Sequence, residues 1–200
     1  MRTLLSSLLA LLVSASLAVA AERLIVREKT GSVPETGQVK YLELEYAGER
    51  YSIHPPANWR VQADSEDGLR FSSASNRGGT VAIQFQVENV SNVLASAEAL
   101  RENIVPYYTD ATLNEEFTAY SGNQHGKGIE LRFTLQGTPM LCRTAVIPLP
   151  RGYASFVLTC AVEDAQAGLQ AFGSALTSFQ RFVPAKISGD TISGGVKKQS

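Results

Sequence analysis

The side chains with chemical potential are few: two histidines, His54 and His125, and two cysteines, Cys142 and Cys160, among 200 residues. A zinc ion would need both imidazoles together with a carboxylate such as Asp64 or Glu130, because zinc takes four N, S or O ligands in a tetrahedron. Sites of that kind usually announce themselves by closely spaced ligand pairs. Here Pro55 restrains one imidazole and glycines flank the other, so no metal is expected. A redox-active pair needs CxxC-like proximity or an activated thiolate, and the sequence offers neither. Asp64, Glu66 and Asp67 before Gly68 have a faint calcium-loop look, but the EF-hand spacing is not met and a solvated turn is the expectation. The glycine-rich stretch Gly122 to Gly128 could cradle an anion, though a flexible hairpin connection is its commoner use. No G-x-S-x-G, H-E-x-x-H, Walker loop or G-x-G-x-x-G occurs. No catalytic residue and no cofactor are expected.

The first twenty residues set the compartment. Arg2 supplies a positive start, Leu4 to Val13 is mostly leucine, and Ala18-Val19-Ala20 suits signal peptidase. The pattern is that of a secretory signal, and nothing later approaches the roughly 18 apolar residues of a spanning helix. The first cysteine is Cys142, so no lipoprotein cleavage point is present. The expected product is a periplasmic or secreted chain with no membrane span. Of the 18 basic side chains one, Arg2, leaves with the signal, against 19 acidic ones. With no clustered basic surface, nucleic acid is not an expected partner. The sequon Asn89-Val90-Ser91 matters only in a glycosylating host.

Export permits a disulfide. Residues 140–147 and 153–162 read as two strands around Pro150-Arg151-Gly152. A three-residue loop centred on Arg151 would set Cys142 opposite Cys160, Thr144 opposite Leu158 and Val146 opposite Phe156. Opposed strand residues lie roughly 4.5–5.5 Å apart at Cα, within disulfide reach. A bridge closing that loop would add about 3 kcal/mol on the chain-entropy account. Two free, buried thiols are the other structural outcome, and a catalytic thiol the functional one.

The positioning elements follow from periodicity. Residues 21–39 (with KTGSVPETG) read as a linker with one apolar stretch, Leu24 to Val26, and the sheet is expected from Lys40. Leu42 and Leu44 alternate with glutamates, Ala47-Gly48-Glu49 turns the chain, and Tyr51 and Ile53 resume on a partner strand. Pro55 and Pro56 cannot donate to a ladder, so that strand ends at His54, and Trp59 is expected to cover an edge of the core. Leu69 to Ser73 and Thr80 to Val87 form the next strands, the second with Val81, Ile83, Phe85 and Val87 on one face. Val93, Ala97, Leu100 and Ile104 make a helical stripe that opens at Ser91 or Asn92 and stops at Pro106. Leu113 to Tyr120 and Ile129 to Gln136 form a hairpin. The cysteine hairpin is apolar on both faces and therefore central. A last helix from near Asp164 carries the stripe Leu169, Phe172, Leu176 and Phe179, and residues 184–200 are polar, glycine-rich and expected to be disordered. The class is α+β, an antiparallel β-sheet flanked by helices.

One pattern is more specific. It joins Tyr51-Ser52-Ile53-His54-Pro55-Pro56-Ala57-Asn58-Trp59, the strand Thr80 to Val87, the helix Ala95 to Ile104 and Gly126-Lys127-Gly128-Ile129-Glu130. It continues through Arg151-Gly152-Tyr153-Ala154 to Leu176-Thr177-Ser178-Phe179-Gln180-Arg181-Phe182. This resembles the PsbP-like α/β/α sandwich group, which includes chloroplast photosystem subunits, a Ran-binding nuclear import factor and bacterial envelope proteins. The resemblance covers roughly residues 40–183 and implies an interaction role, but it carries over no functional residue. A shared fold leaves function open.

The expectation is therefore a non-enzymatic exported protein that binds an envelope protein or a small ligand. Its candidate surface is the pair of loops holding His54, Trp59, Asn123, His125 and Lys127, which mix aromatic, imidazole and backbone donor groups. The alternatives are a metal-dependent hydrolase using His54 and His125 with nearby carboxylates, and a secreted inhibitor or effector.

Overall fold

The computed structural model describes residues 23–33, 37–74, 79–86, 98, 101–102, 105–108 and 110–182. The signal, the sequon and the segment after Val183 lie outside them. Strands β1 (Ile25–Val33), β2 (Gly37–Tyr46) and β3 (Glu49–Ile53) join a late two-residue strand, β11 (Gln180–Arg181), in the order β1-β2-β3-β11. A seven-stranded antiparallel sheet holds β4 (Trp59–Ser65), β5 (Gly68–Ser73), β6 (Thr80–Gln86), β7 (Thr112–Ser121), β8 (Gln124–Leu135), β9 (Thr138–Pro148) and β10 (Tyr153–Ala161), in the order β4-β5-β6-β10-β9-β8-β7. The C-terminal helix spans Ala165–Ser178.

Alternation places the core as expected. Val81, Ile83 and Phe85 are fully buried on one face of β6, and Leu42 and Leu44 pair with Ile53 and Tyr51 across β2 and β3. β3 stops at Ile53, one residue short of where it was expected to end, and His54 leads into the prolines. Its backbone is held by the end of the helix: the Ser178 hydroxyl accepts from the His54 N–H at 3.1 Å and donates to the His54 carbonyl at 3.3 Å. Trp59 is half-buried against the main core, at the first residue of β4.

One cluster ties the layers together. Phe179, just past the helix, stacks on Tyr51 of β3 at 5.2 Å, meets Phe156 of β10 edge-on at 5.4 Å and lies 6.0 Å from Phe85 of β6. Tyr46 of β2 completes the group, 5.2 Å from Phe85, with its hydroxyl donating to the Phe85 carbonyl. The smaller sheet and the helix thus share one face of the larger sheet. On the opposite face a second cluster of Ile129, Leu131, Phe133, Cys142, Val146 and Tyr153 is packed by Val105, Tyr108 and Ala111.

Two expectations need correction. Residues 21–39 are no mere linker: β1 pairs residue for residue with β2, from Ile25 opposite Glu45 to Val33 opposite Gly37. The long, polar arms of this hairpin hide their strand character, since both faces near the turn are exposed. The stretch 122–128 is not a loop either; only Gly122 and Asn123 turn, and β8 starts at Gln124. A Cβ on Gly126 would fall on the Val146 carbonyl oxygen, and one on Gly128 would enter the Phe117 ring, so these glycines serve close packing inside a strand. Helices on both faces were expected. Among the described residues one helix is complete, and the smaller sheet shares its face. The helix expected over 91–104 lies largely outside the described residues, although Glu98, Arg101 and Glu102 are helical and exposed.

The disulfide expectation is also overturned. The β9–β10 loop has four residues, Leu149 to Gly152, closed by the Leu149 N–H donating to the Gly152 carbonyl at 3.0 Å. That slides the register by one: Cys142 faces Thr159, and Cys160 faces Leu141. A one-residue slip turns every side chain to the other face. Cys160 therefore belongs to the main core, Cys142 to the second cluster, and both are free and buried. Burial pushes the Cys160 thiol up to about 11, with the Asp164 carboxylate as a further cause. A thiol whose folded pKa exceeds its unfolded value stabilises the fold below the unfolded value and loses that contribution as pH climbs toward the folded one. Unreduced protein is expected to show two free thiols by mass spectrometry and negligible reaction with a disulfide reagent at neutral pH until denaturant is added. Folding stability should fall between about pH 9 and 11, less steeply in Cys160→Ala. A mass lower by two hydrogens would contradict this register.

Candidate functional site

A single row of inward-facing side chains crosses the seven-stranded sheet. It runs Val61, Phe71, Val81, Leu158, Arg143, Glu130 and Glu115 from one edge to the other. The first four are apolar, and the last three carry charge. Arg143 Nη1 donates to Glu130 Oε2 at 2.5 Å and to Glu115 Oε2 at 2.9 Å. Asn114 Nδ2 donates to the other Glu130 oxygen at 2.6 Å. The guanidinium carbon stands 3.9 Å from the centre of the Phe117 ring, which lies over the bare backbone of Gly128. Glu130 is only 4% exposed, so each of its oxygens needs the partner it has.

This row ends at β7, the last strand of the sheet, and the helix wall stands back from it. Between them lies a cleft of about 370 Å³, lined by Phe117, Ala119 and Arg143 from the sheet and by Leu169, Phe172 and Gly173 from the helix. Gly173 opens the wall: a Cβ placed there meets nothing within 4 Å. Two carboxylates share one guanidinium at the cleft's inner end, a balance that disfavours an anion. Both Glu130 oxygens are engaged, one by Arg143 and the other by Asn114. The open part of the cleft is lined mainly by apolar side chains.

The residues singled out in the sequence are spread apart. Trp59 packs on the main core and, with Pro56, Asn58, Gln170 and Ser174, lines a separate cleft of about 360 Å³ on another flank of the helix. The exposed His54 ring lies 6.3 Å from that of Tyr41, in the smaller sheet. His125 and Lys127 sit on β8 and share the face of Ile129 and Leu131, opposite to the helix, while Asn123 is exposed in the β7–β8 turn. The two groups therefore do not form one patch. Among the described residues no three His, Cys, Asp or Glu side chains gather closely enough to hold a metal ion. Asp64 instead pairs with Arg70, and Glu130 with Arg143.

Sequence reasoning missed the Arg143–Phe117–Gly173 cleft. A signal was present for Arg143, which puts a charge into a strand largely apolar on both faces, whereas Glu130 reads as part of the polar face it shares with Arg132 and Thr134.

No family model and no curated protein matches the sequence. Solved structures do match in fold. Cyanobacterial PsbP (CyanoP) from Synechocystis superposes with a TM-score of 0.52 at 12% identity, over 76% of this chain and 98% of that one. LpqN of Mycobacterium tuberculosis, described as involved in cell envelope biogenesis, gives 0.48 at 12% identity, over 79% and 92%. A crystal structure from Bacteroides thetaiotaomicron gives 0.46 at 13% identity, covering 67% of this chain but only 46% of its own length. The chain has a PsbP-like fold, on the strength of the first of these. Among the described residues no helix is long and apolar enough to cross a membrane.

The charged end of the row is testable as a unit. Arg143→Met should lower unfolding free energy by about 3 kcal/mol, because it strands a buried carboxylate. The double change Glu130→Gln with Arg143→Met should recover much of that loss in urea titrations. Equal losses for the single and double variants would reject the pairing as described.

Proposed function

We propose that this protein is an exported, non-catalytic binding protein of the bacterial envelope, and that it engages another protein through the cleft between β7 and the C-terminal helix. One observation carries the reading: an apolar cleft of about 370 Å³ opens directly beside the last strand of the sheet, with Gly173 leaving its wall clear. Export is supported by the leader-like first twenty residues. The PsbP-like fold is compatible with an interaction role and names no partner.

The hydrolase alternative draws no support from His54, just past β3, and His125, on β8, since no three potential metal ligands gather among the described residues. A secreted inhibitor or effector would use the same cleft and differ only in where its partner resides.

The test is crosslinking in living cells through a photoreactive residue at the exposed position of Thr177, on the cleft rim. A discrete product is expected with the otherwise wild-type protein and at least a tenfold weaker one when Gly173→Trp fills the cleft. An undiminished product in that variant would remove the cleft from the binding surface.

A further inference from the structure

Deepening the binding reading above, we infer that the cleft receives an extended segment of another protein, added antiparallel or parallel to β7 as an eighth strand. That segment has small or β-branched apolar side chains at alternate positions and a lysine or arginine on its other face.

The edge itself is the first argument. β7 pairs with β8 on one side, and no described strand occupies the other. Its register is irregular only between Leu113 and Glu115, so Glu115 to Ser121 presents a regular run of backbone groups that no described strand pairs on that side. Such an edge binds extended chains through main-chain hydrogen bonds, while alternate side chains supply specificity.

The other edges are poorer templates. β4 has a register shift between Ala63 and Ser65, and β11 has two residues. β1 is long, but Ile25 to Thr30 are all exposed, and the described cleft beside it, lined by Glu28, Lys40 and Trp59 among others, has no described helix residue in its wall.

The side-chain pattern follows from alternation. On the inner face of β7, Phe117 and Ala119 adjoin the cleft. A neighbouring strand would send every second side chain into that space, beneath Leu169, Phe172 and Gly173. On the outer face the neighbours would be Glu116, Thr118 and Tyr120, the last 65% exposed. Glu116 has no ion-pair partner among the described residues, unlike Glu115.

Charge then selects the occupant. A cationic side chain beside Glu116 completes a cross-strand pair, whereas an acidic one is repelled. A second copy of this chain is disfavoured on the same ground. Pairing the run Glu115 to Ser121 with itself about Thr118 would set Glu116 opposite Tyr120 of the other copy, so a second copy offers that carboxylate no cation. Charged residues on an edge commonly prevent such self-pairing.

The experiment uses a labelled, capped eight-residue peptide with valine at alternate positions and lysine or threonine between them, followed by fluorescence anisotropy against the mature protein. Saturable binding is expected, weakened at least tenfold when the lysines become glutamates. A strand paired along one side uses only alternate N–H groups. Methylating one alternate set of peptide nitrogens should therefore weaken binding at least tenfold, and methylating the other set should change it less than threefold.

In Glu116→Lys the preference between lysine and glutamate peptides should reverse. In Gly173→Trp binding should fall at least tenfold. The peptide arms need only wild-type protein, so they decide the matter even if a variant fails to fold. No saturable binding at millimolar peptide, equal effects of the two methylation patterns, or an unchanged preference in Glu116→Lys would each overturn strand addition.

These outcomes separate from those of the cellular crosslink. Loss of the crosslink in Gly173→Trp without peptide binding would keep the cleft and reject the added strand. An intact crosslink with methylation-sensitive peptide binding would keep the added strand and move the cellular partner elsewhere.

Discussion

Phe179 touches every layer of this protein. Fully buried just beyond the helix, it stacks on Tyr51 in the smaller sheet and meets Phe85 and Phe156 of the larger one. Aromatic contacts of this kind each contribute about 0.5–1.5 kcal/mol beyond the area they bury. The backbone around the ring is fixed as well. The Phe179 carbonyl accepts from the Ser121 hydroxyl at 2.7 Å, and the two residues that follow form β11 against β3. The ring thus sets where the helix ends, and with it the distance between the helix wall and β7. The width of the cleft is a consequence of that packing rather than of any residue inside it.

Much of this was legible in the sequence because period and burial agree. Val81, Ile83 and Phe85 alternate so cleanly that only one face can be inside, and the spacing of Leu169, Phe172 and Leu176 admits only a helix. Where the information is long-range, pattern reading fails. The number of residues in the β9–β10 loop is decided by a hydrogen bond between Leu149 and Gly152, and one residue of error sends Cys142 and Cys160 to opposite faces. Gly126 and Gly128 look like a flexible loop until their reason, the Val146 carbonyl and the Phe117 ring, is known. β1 is hidden because its side chains are mostly exposed and its pairing is carried by the backbone.

The candidate site was the least legible part. Histidines, a tryptophan and a glycine-rich stretch attract attention by type, yet they fall on opposite faces of the larger sheet. The cleft is instead built from ordinary residues whose meaning lies in the gap between two elements. Its charged end was visible only as an oddity, one arginine in a strand largely apolar on both faces, while Glu130 passed as the polar side of an alternating strand. Together, Glu115, Glu130 and Arg143 close the inner end with excess negative charge and satisfied hydrogen bonds. What remains open is lined mainly by apolar side chains and lies beside an edge that no described strand pairs. That geometry favours an extended chain over a small anion.

The most direct measurement of the central claim is equilibrium unfolding of Phe179→Ala combined with amide hydrogen exchange. If the ring joins the layers, stability should fall by about 3–5 kcal/mol, and protection should drop together in β3, β6, β10 and the C-terminal helix. A loss near 1 kcal/mol, with protection reduced only around residues 178 to 181, would show that the two sheets and the helix are held together by something else.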